Sequence, residues 1–383
     1  FRPRAGRASI RLPPRLGSAS ASLHLHMAMT SMTSTCALPG SRRPSKTFSQ
    51  GSSQKLWTTR TCPSSHFRFA EPSQTLIILD WDETLFPTAE VFDRCEVFDR
   101  LAISYKDRED TTDPMATTDP DPMAKLTQAQ QHQMADWRDA LQSFLEEACS
   151  LSKKVCIITL SRRPWVTQCL EVVAPDLLPI FSRPRHAPEI IYAFETFGKT
   201  LRGKSLKVRP VRHAYTRQSM EEGREMRTRA KGAAMKQVAT EFYSQYPGQT
   251  WKNIISLGDM SYEHDAVQEV TFCRQVTPTK QETIRTKALI LPSNPTLTEL
   301  MLRLVWQRHM LRVYVNFNGD LDLDLESVSD PVKALAEALA IPELNSLNFS
   351  RHAWGKTSSP PTAEQLADDI AELVIALHMA LYD

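Results

Sequence analysis

The chain has 383 residues, 41% of them hydrophobic, and a formal charge of +2 from 46 Lys+Arg against 44 Asp+Glu. That length allows two ordinary domains or one with insertions and tails, and no apolar run reaches the roughly 18 residues that a membrane-spanning helix needs. The charge is split: residues 1–70 hold eleven Lys/Arg and no acid, so 35 bases face 44 acids in the rest, a net of −9, which argues against nucleic-acid binding by the protein as a whole.

Residues 1–70 are rich in Ser, Thr, Arg and Pro and lack apolar periodicity. Such a composition does not bury enough surface to offset chain entropy, so a disordered leader is expected. The chain begins with Phe1, and Met27, Met29 or Met32 is the expected start. From Met27 the segment is hydroxyl-rich, basic and acid-free, which resembles a plastid or mitochondrial transit peptide more than a secretory signal. The alternative is a tail with no address on a cytoplasmic protein. Seven cysteines (Cys36, Cys62, Cys95, Cys149, Cys156, Cys169 and Cys273) show no CxxC pairing. The body therefore reads as reduced and intracellular, without structural zinc.

Leu76–Leu79 is a short apolar run ending at Asp80 and reads as a buried strand. Two near-duplications follow, EVFDR at 90–94 and 96–100, then TTDPMA at 111–116 and TTDPDPMA at 117–124. Repeats this short read as loop expansion, here over 83–124. Thr127 and Gln130 form a capping-box pattern for a helix running to Cys149, with Met134, Trp137, Leu141, Phe144, Leu145 and Ala148 on one face. Val155–Ile158 is a second buried strand, ending at Thr159; Cys156 within it reads as a small buried hydrophobe. A helix is expected from Trp165 to the Pro175/Pro179 breaks. Residues 180–220 read as a basic insertion, acid-free from 196 to 220 with seven Lys/Arg. Residues 219–243 read as a helix with a Ser219/Glu222 capping box. Ile254–Leu257 is a third strand, followed at once by Gly258 and Asp259, and Val270–Val276 and Ala288–Leu291 read as shorter strands.

Strands alternating with helices imply a Rossmann-like α/β fold, a parallel sheet flanked by helices. In such sheets ligands bind at the carboxyl ends of the strands. Three strands deliver polar residues there: Asp80 with Asp82, Thr159, and Asp259. Toward the C-terminus, Asn318-Gly319 between Leu311–Phe317 and Asp320–Glu326 signals a hairpin, assigned to a 301–350 extension. The Asp320/Asp322/Asp324/Glu326 alternation resembles an EF-hand start, but Leu325 stands where the required glycine would be, so a solvated strand face is expected instead of a calcium site. A last helix is expected within 351–383, with Thr362 as N-cap and Leu366, Ile370, Leu373, Val374 and Leu377 as an apolar face that docks on the body or a partner.

Asp80-Trp81-Asp82-Glu83-Thr84 places two carboxylates two residues apart just after a strand, so both reach one site if the chain loops tightly. One can serve as a nucleophile and the other as general acid/base. With its flanks, LIILDWDETLFPT resembles the first motif of the haloacid dehalogenase-like (HAD) superfamily of phosphohydrolases; the resemblance covers about residues 74–300, and the HAD-like domain is expected over 71–300. CIITLS resembles the second motif and supplies Thr159; the RRPWV that follows is similar to a subgroup with Trp-Val opening the next helix. RAKGAAMKQVA resembles the third, giving Lys231, with Lys236 the alternative. IISLGDMSYEHDA resembles the fourth, giving Asp259 and then Glu263 where the family carries Asp; Asp265 lies two residues on. His264 between them reads as a solvated helix residue.

The resemblance implies a phosphatase using Mg²⁺ held by Asp80, the Asp82 backbone carbonyl and Asp259, with Glu263 reached through waters. It implies Asp80 as nucleophile, Asp82 as acid and then base, and Thr159 and Lys231 on the phosphoryl group. It further implies a phosphorylated small molecule or phosphoprotein as substrate, and a small or absent cap. Two rivals stand beside it: a catalytically silent HAD-fold scaffold, and a protein phosphatase resembling the small-CTD-phosphatase type, whose last motif carries the adjacent aspartates that LGDMSYE lacks.

Overall fold

The computed structural model describes residues 65–91, 126–200, 217–245, 252–272, 284–359 and 361–382. The leader up to residue 64, the repeats beyond Val91, positions 273–276 and the basic stretch at 201–216 lie outside the described residues.

Six strands form one parallel sheet in the order β3-β2-β1-β4-β5-β6. They are β1 (Thr75–Leu79), β2 (Lys154–Thr159), β3 (Glu189–Tyr192), β4 (Asn253–Gly258), β5 (Arg285–Ile290) and β6 (Leu321–Asp324). The register puts Leu79 level with Ile157 on one side and Leu257 on the other. β1, β4 and β5 are buried along their whole length, as expected of strands covered on both faces.

The period of two in a strand divides the core. Ile77, Leu79, Val155, Ile157, Ile255, Leu257 and Leu289 point into one cluster. Leu76, Ile78, Cys156, Ile158, Ile254 and Ala288 point into the other. On the first face lie α1 (Gln128–Leu151), α2 (Trp165–Val173) and α6 (Leu297–Asn316). On the second lie α3 (Ala193–Thr200), α4 (Arg217–Ser244) and α5 (Ser261–Phe272). The result is a three-layer Rossmann-like α/β fold. α1 starts on the expected box: the Thr127 hydroxyl accepts from Gln130 N, and the Thr127 amide donates to Gln130 Oε1.

Several expectations are corrected. Leu311–Phe317 is no hairpin strand; it lies in and just after α6, and β6 joins β5 as a parallel partner. Residues 270–272 finish α5 instead of opening a strand. Residues 189–200 supply β3 and α3, so part of the stretch read as an insertion belongs to the sheet and its cover. Ser219 lies inside α4, which begins at Arg217, and so is not its N-cap.

The α/β body therefore extends through β6. Beyond it come α7 (Pro331–Leu339), α8 (Asn348–Ala353) and α9 (Ala363–Tyr382). Buried Arg303 of α6 ties this region down, donating to Ala353 O at 2.9 Å and to Pro292 O. Thr362 caps α9 as expected, its hydroxyl accepting from Gln365 N at 3.2 Å. Leu373 is buried, with Leu366 and Ile370 packed against the core, whereas Val374 is exposed and does not belong to that face.

Candidate active site

The order of strands reverses at β1: the chain goes to β2 and β3 on one side, then crosses to β4 on the other. Ligands of such sheets bind at the carboxyl edge of this reversal. The residues just past β1, β2 and β4 are those that the sequence marks.

β1 runs into a tight loop. The amides of Leu85 and Phe86 both donate to Trp81 O at 2.9 Å, and Glu83 takes a positive φ of 57°. Trp81 stacks on Phe86 with centroids 5.5 Å apart, and Phe86 meets Trp137 of α1 edge-on. All three rings are buried, and the Trp137 indole donates to Leu85 O at 3.1 Å. This aromatic anchor holds the turn that carries Asp80 and Asp82.

Asp80 points to the β4 side. Its amide donates to Leu257 O at 2.9 Å. Buried Lys231 of α4 donates from Nζ to Asp80 Oδ1 and to Ile158 O, both at 2.5 Å. Nζ also lies 2.8 Å from Glu263 Oε1. The amine's hydrogen bonds go to Asp80 and Ile158, and neither Glu263 oxygen receives a directed one, so this contact is charge pairing by proximity. Asp80, Asp259 and Glu263 form a buried cluster with one carboxylate oxygen of each within 4.8 Å of the others. Lys236 is exposed, and Lys231 is the lysine that the fold brings to the cluster. Asp265 accepts from Arg224 at 2.7 Å, away from the cluster, so Glu263 is the acid that joins it. His264 is half-buried on α5, and its Nε2 lies 2.5 Å from Asp322 Oδ1.

Burial pushes the Asp80 carboxyl upward, with Lys231 opposing and Asp82 adding. Burial and then Asp80 raise Asp259 to about 8. Glu263 goes well above the carboxylate range through burial, against the pull of Lys231. For Lys231, burial alone would lower the amine, but Asp80 and Glu263 outweigh it and the net shift is upward. Ionising all three buried acids against one amine would leave uncompensated negative charge in a low dielectric, which is costly and is why the carboxyls are pushed upward. An orphaned buried Glu263 Oε2 and an all-carboxylate donor set fit a hard divalent cation such as Mg²⁺. Gly258 makes room for this: a Cβ there would come within 2.8 Å of Glu263 Cγ.

Asp82 points the other way, toward β2. Its Oδ1 accepts from Thr88 Oγ1 at 2.8 Å and from the Trp165 indole at 2.9 Å. Its Oδ2 accepts from Ser161 Oγ at 3.0 Å and Thr159 Oγ1 at 3.3 Å. Thr159 is fully buried and also accepts from Ser161 N at 3.0 Å. Sequence reasoning assigned no site role to Thr88, Ser161 or Trp165. The signal at hand was their position, within a few residues of the strand-end acids and hydroxyl.

Fold and site together define a Rossmann-like α/β protein with a buried acidic cluster at the carboxyl edge of its sheet. No family model, curated protein or solved structure matches this chain. Among the described residues, no helix is long and apolar enough to cross a membrane.

Proposed function

We propose that this protein is a Mg²⁺-dependent, HAD-like phosphatase that hydrolyses a phosphate monoester through an aspartyl-phosphate. The observation that carries this is the division of labour on one loop. Asp80 faces Lys231 and the acidic cluster, while Asp82, two residues on, faces a separate set of hydroxyl and indole donors.

Mg²⁺, held by Asp80, Asp259 and Glu263 with the Asp82 carbonyl, would offset the repulsion between carboxylate and phosphate. Lys231 keeps Asp80 oriented and adds positive charge beside it. Asp80 attacks phosphorus as the ester P–O bond breaks. Asp82 gives its proton to the departing oxygen, then takes one from the water that attacks the aspartyl-phosphate. That step releases inorganic phosphate and restores Asp80. Thr159 holds Asp82 and closes the β2 side of the phosphoryl pocket. A phosphorylated small molecule or a phosphoprotein fits this chemistry.

The test is p-nitrophenyl phosphate hydrolysis by the full chain with and without Mg²⁺, beside Asp80→Asn. The parent should turn over only with Mg²⁺, and the variant should lose about a thousandfold or more in kcat. Absence of parent activity across a broad panel of phosphate esters would instead identify a silent HAD-fold scaffold.

A further inference from the structure

The helix that delivers Lys231 continues past it. Near its C-terminal end Tyr243 donates to Gln74 O and Asn253 O, at the amino ends of β1 and β4. Lys231 meets Ile158 O and Asp80 at the carboxyl ends. α4 thus runs antiparallel to the strands, and the residues before Lys231 overhang the mouth of the site. Arg227 and Arg224 precede it by four and seven residues, on one stripe of the helix, about 6 Å and 10 Å further out along the axis.

Both face the helix turn that carries Glu263. The Arg227 guanidinium lies 5.9 Å from the centre of the Tyr262 ring, and Arg224 pairs with Asp265 at 2.7 Å. The two differ in what balances them. Arg224 is neutralised by a carboxylate. Arg227 is exposed and, among the described residues, no carboxylate pairs with it. An aromatic face supports a guanidinium while leaving its N–H groups free for a planar or tetrahedral anion.

We propose that Arg227 receives a second anionic group of the substrate, so that this site takes phosphate monoesters bearing a further phosphate or carboxylate about one helical turn from the scissile phosphorus. The proposal rests on the phosphatase reading of the same site and narrows its substrate class. Arg224 is a reserve charge for the same group, held in check by Asp265.

The experiment is calorimetric binding of propylene diphosphonate and of propylphosphonate to the full chain in Mg²⁺. These probes resist hydrolysis and differ by one anion. The wild type should bind the diphosphonate about tenfold more tightly or better. Arg227→Met should remove most of that margin. Asp265→Asn, which frees Arg224, should widen it. A wild type that binds both alike, or a margin that survives in Arg227→Met, overturns the proposal. Absence of Mg²⁺-dependent hydrolysis alongside an Arg227-dependent margin would defeat the phosphatase reading and leave the second-anion site standing.

Discussion

At the scale of single residues, the acid proposed to move protons is the one most completely held. Asp82 accepts four donors, and the Trp165 indole differs from the other three because it can only donate. A hydroxyl can turn and accept; an indole cannot. Trp165 therefore fixes the orientation of Oδ1, and the hydroxyls at Oδ2 are free to adapt in the proposed proton transfer. Trp165→Phe should lower kcat about tenfold with little change in KM, and Trp165→His, which keeps a ring N–H, should recover part of the loss. An equal fall in kcat/KM caused by KM alone would make Trp165 a packing residue only. This cradle was not legible in the sequence. Ser161 and Trp165 lie 79 and 83 residues from Asp82, and only the pairing of β1 with β2 brings them together. Asp80, Asp82, Thr159 and Asp259 were legible because each follows the end of an apolar run, a purely local signal.

Among the elements, β4 and α5 meet at one atom-to-atom fit. The strand ends in Gly258, and the first turn of α5 folds Glu263 back over it. Gly258→Ala should push Glu263 out of the cluster and weaken Mg²⁺ binding about tenfold or more, with the Asp80–Lys231 pair retained. Mg²⁺ titration followed by thermal melting measures this, because a ligand of the folded state raises the melting temperature. An unchanged affinity would remove Glu263 from the metal set. The same scale explains what sequence reading missed. α6 buries Leu300, Leu302, Leu304, Trp306, Met310, Leu311, Val313, Tyr314 and Val315, so its tail shows no clean helical stripe and reads as a strand beside Asn318-Gly319. β3 is four residues long, with only Tyr192 buried, and carries too little apolar signal to stand out. α1 was legible because its capping box and apolar stripe agree.

For the molecule as a whole, a second pH liability lies outside the site. Lys287 of β5 is fully buried, donating to Asn253 Oδ1 at 2.7 Å. Burial, then Arg285, lowers its amine to about 7 from 10.5, with Asp320 opposing. Between those values the unfolded chain binds a proton that the folded one does not, so this group makes stability rise with pH there and imposes its full penalty below 7. Lys287→Met should stabilise the protein by about 1–3 kcal/mol at pH 6, with the gain shrinking toward pH 10. Denaturant midpoints across that range would show a constant difference if the amine stays charged. The Lys287 partner Asn253 opens β4, at the end of the sheet opposite the acidic cluster, so the variant separates stability from the proposed turnover. One further consequence comes from the pair at the centre. Asp80 and Lys231 are 151 residues apart in the chain, and closing so long a loop gains nothing until the strands between have docked. No fragment that ends before α4 contains both partners. The Asp80–Lys231 pair is therefore a late event in the life of the nascent chain, and its formation reports on the finished assembly of the sheet.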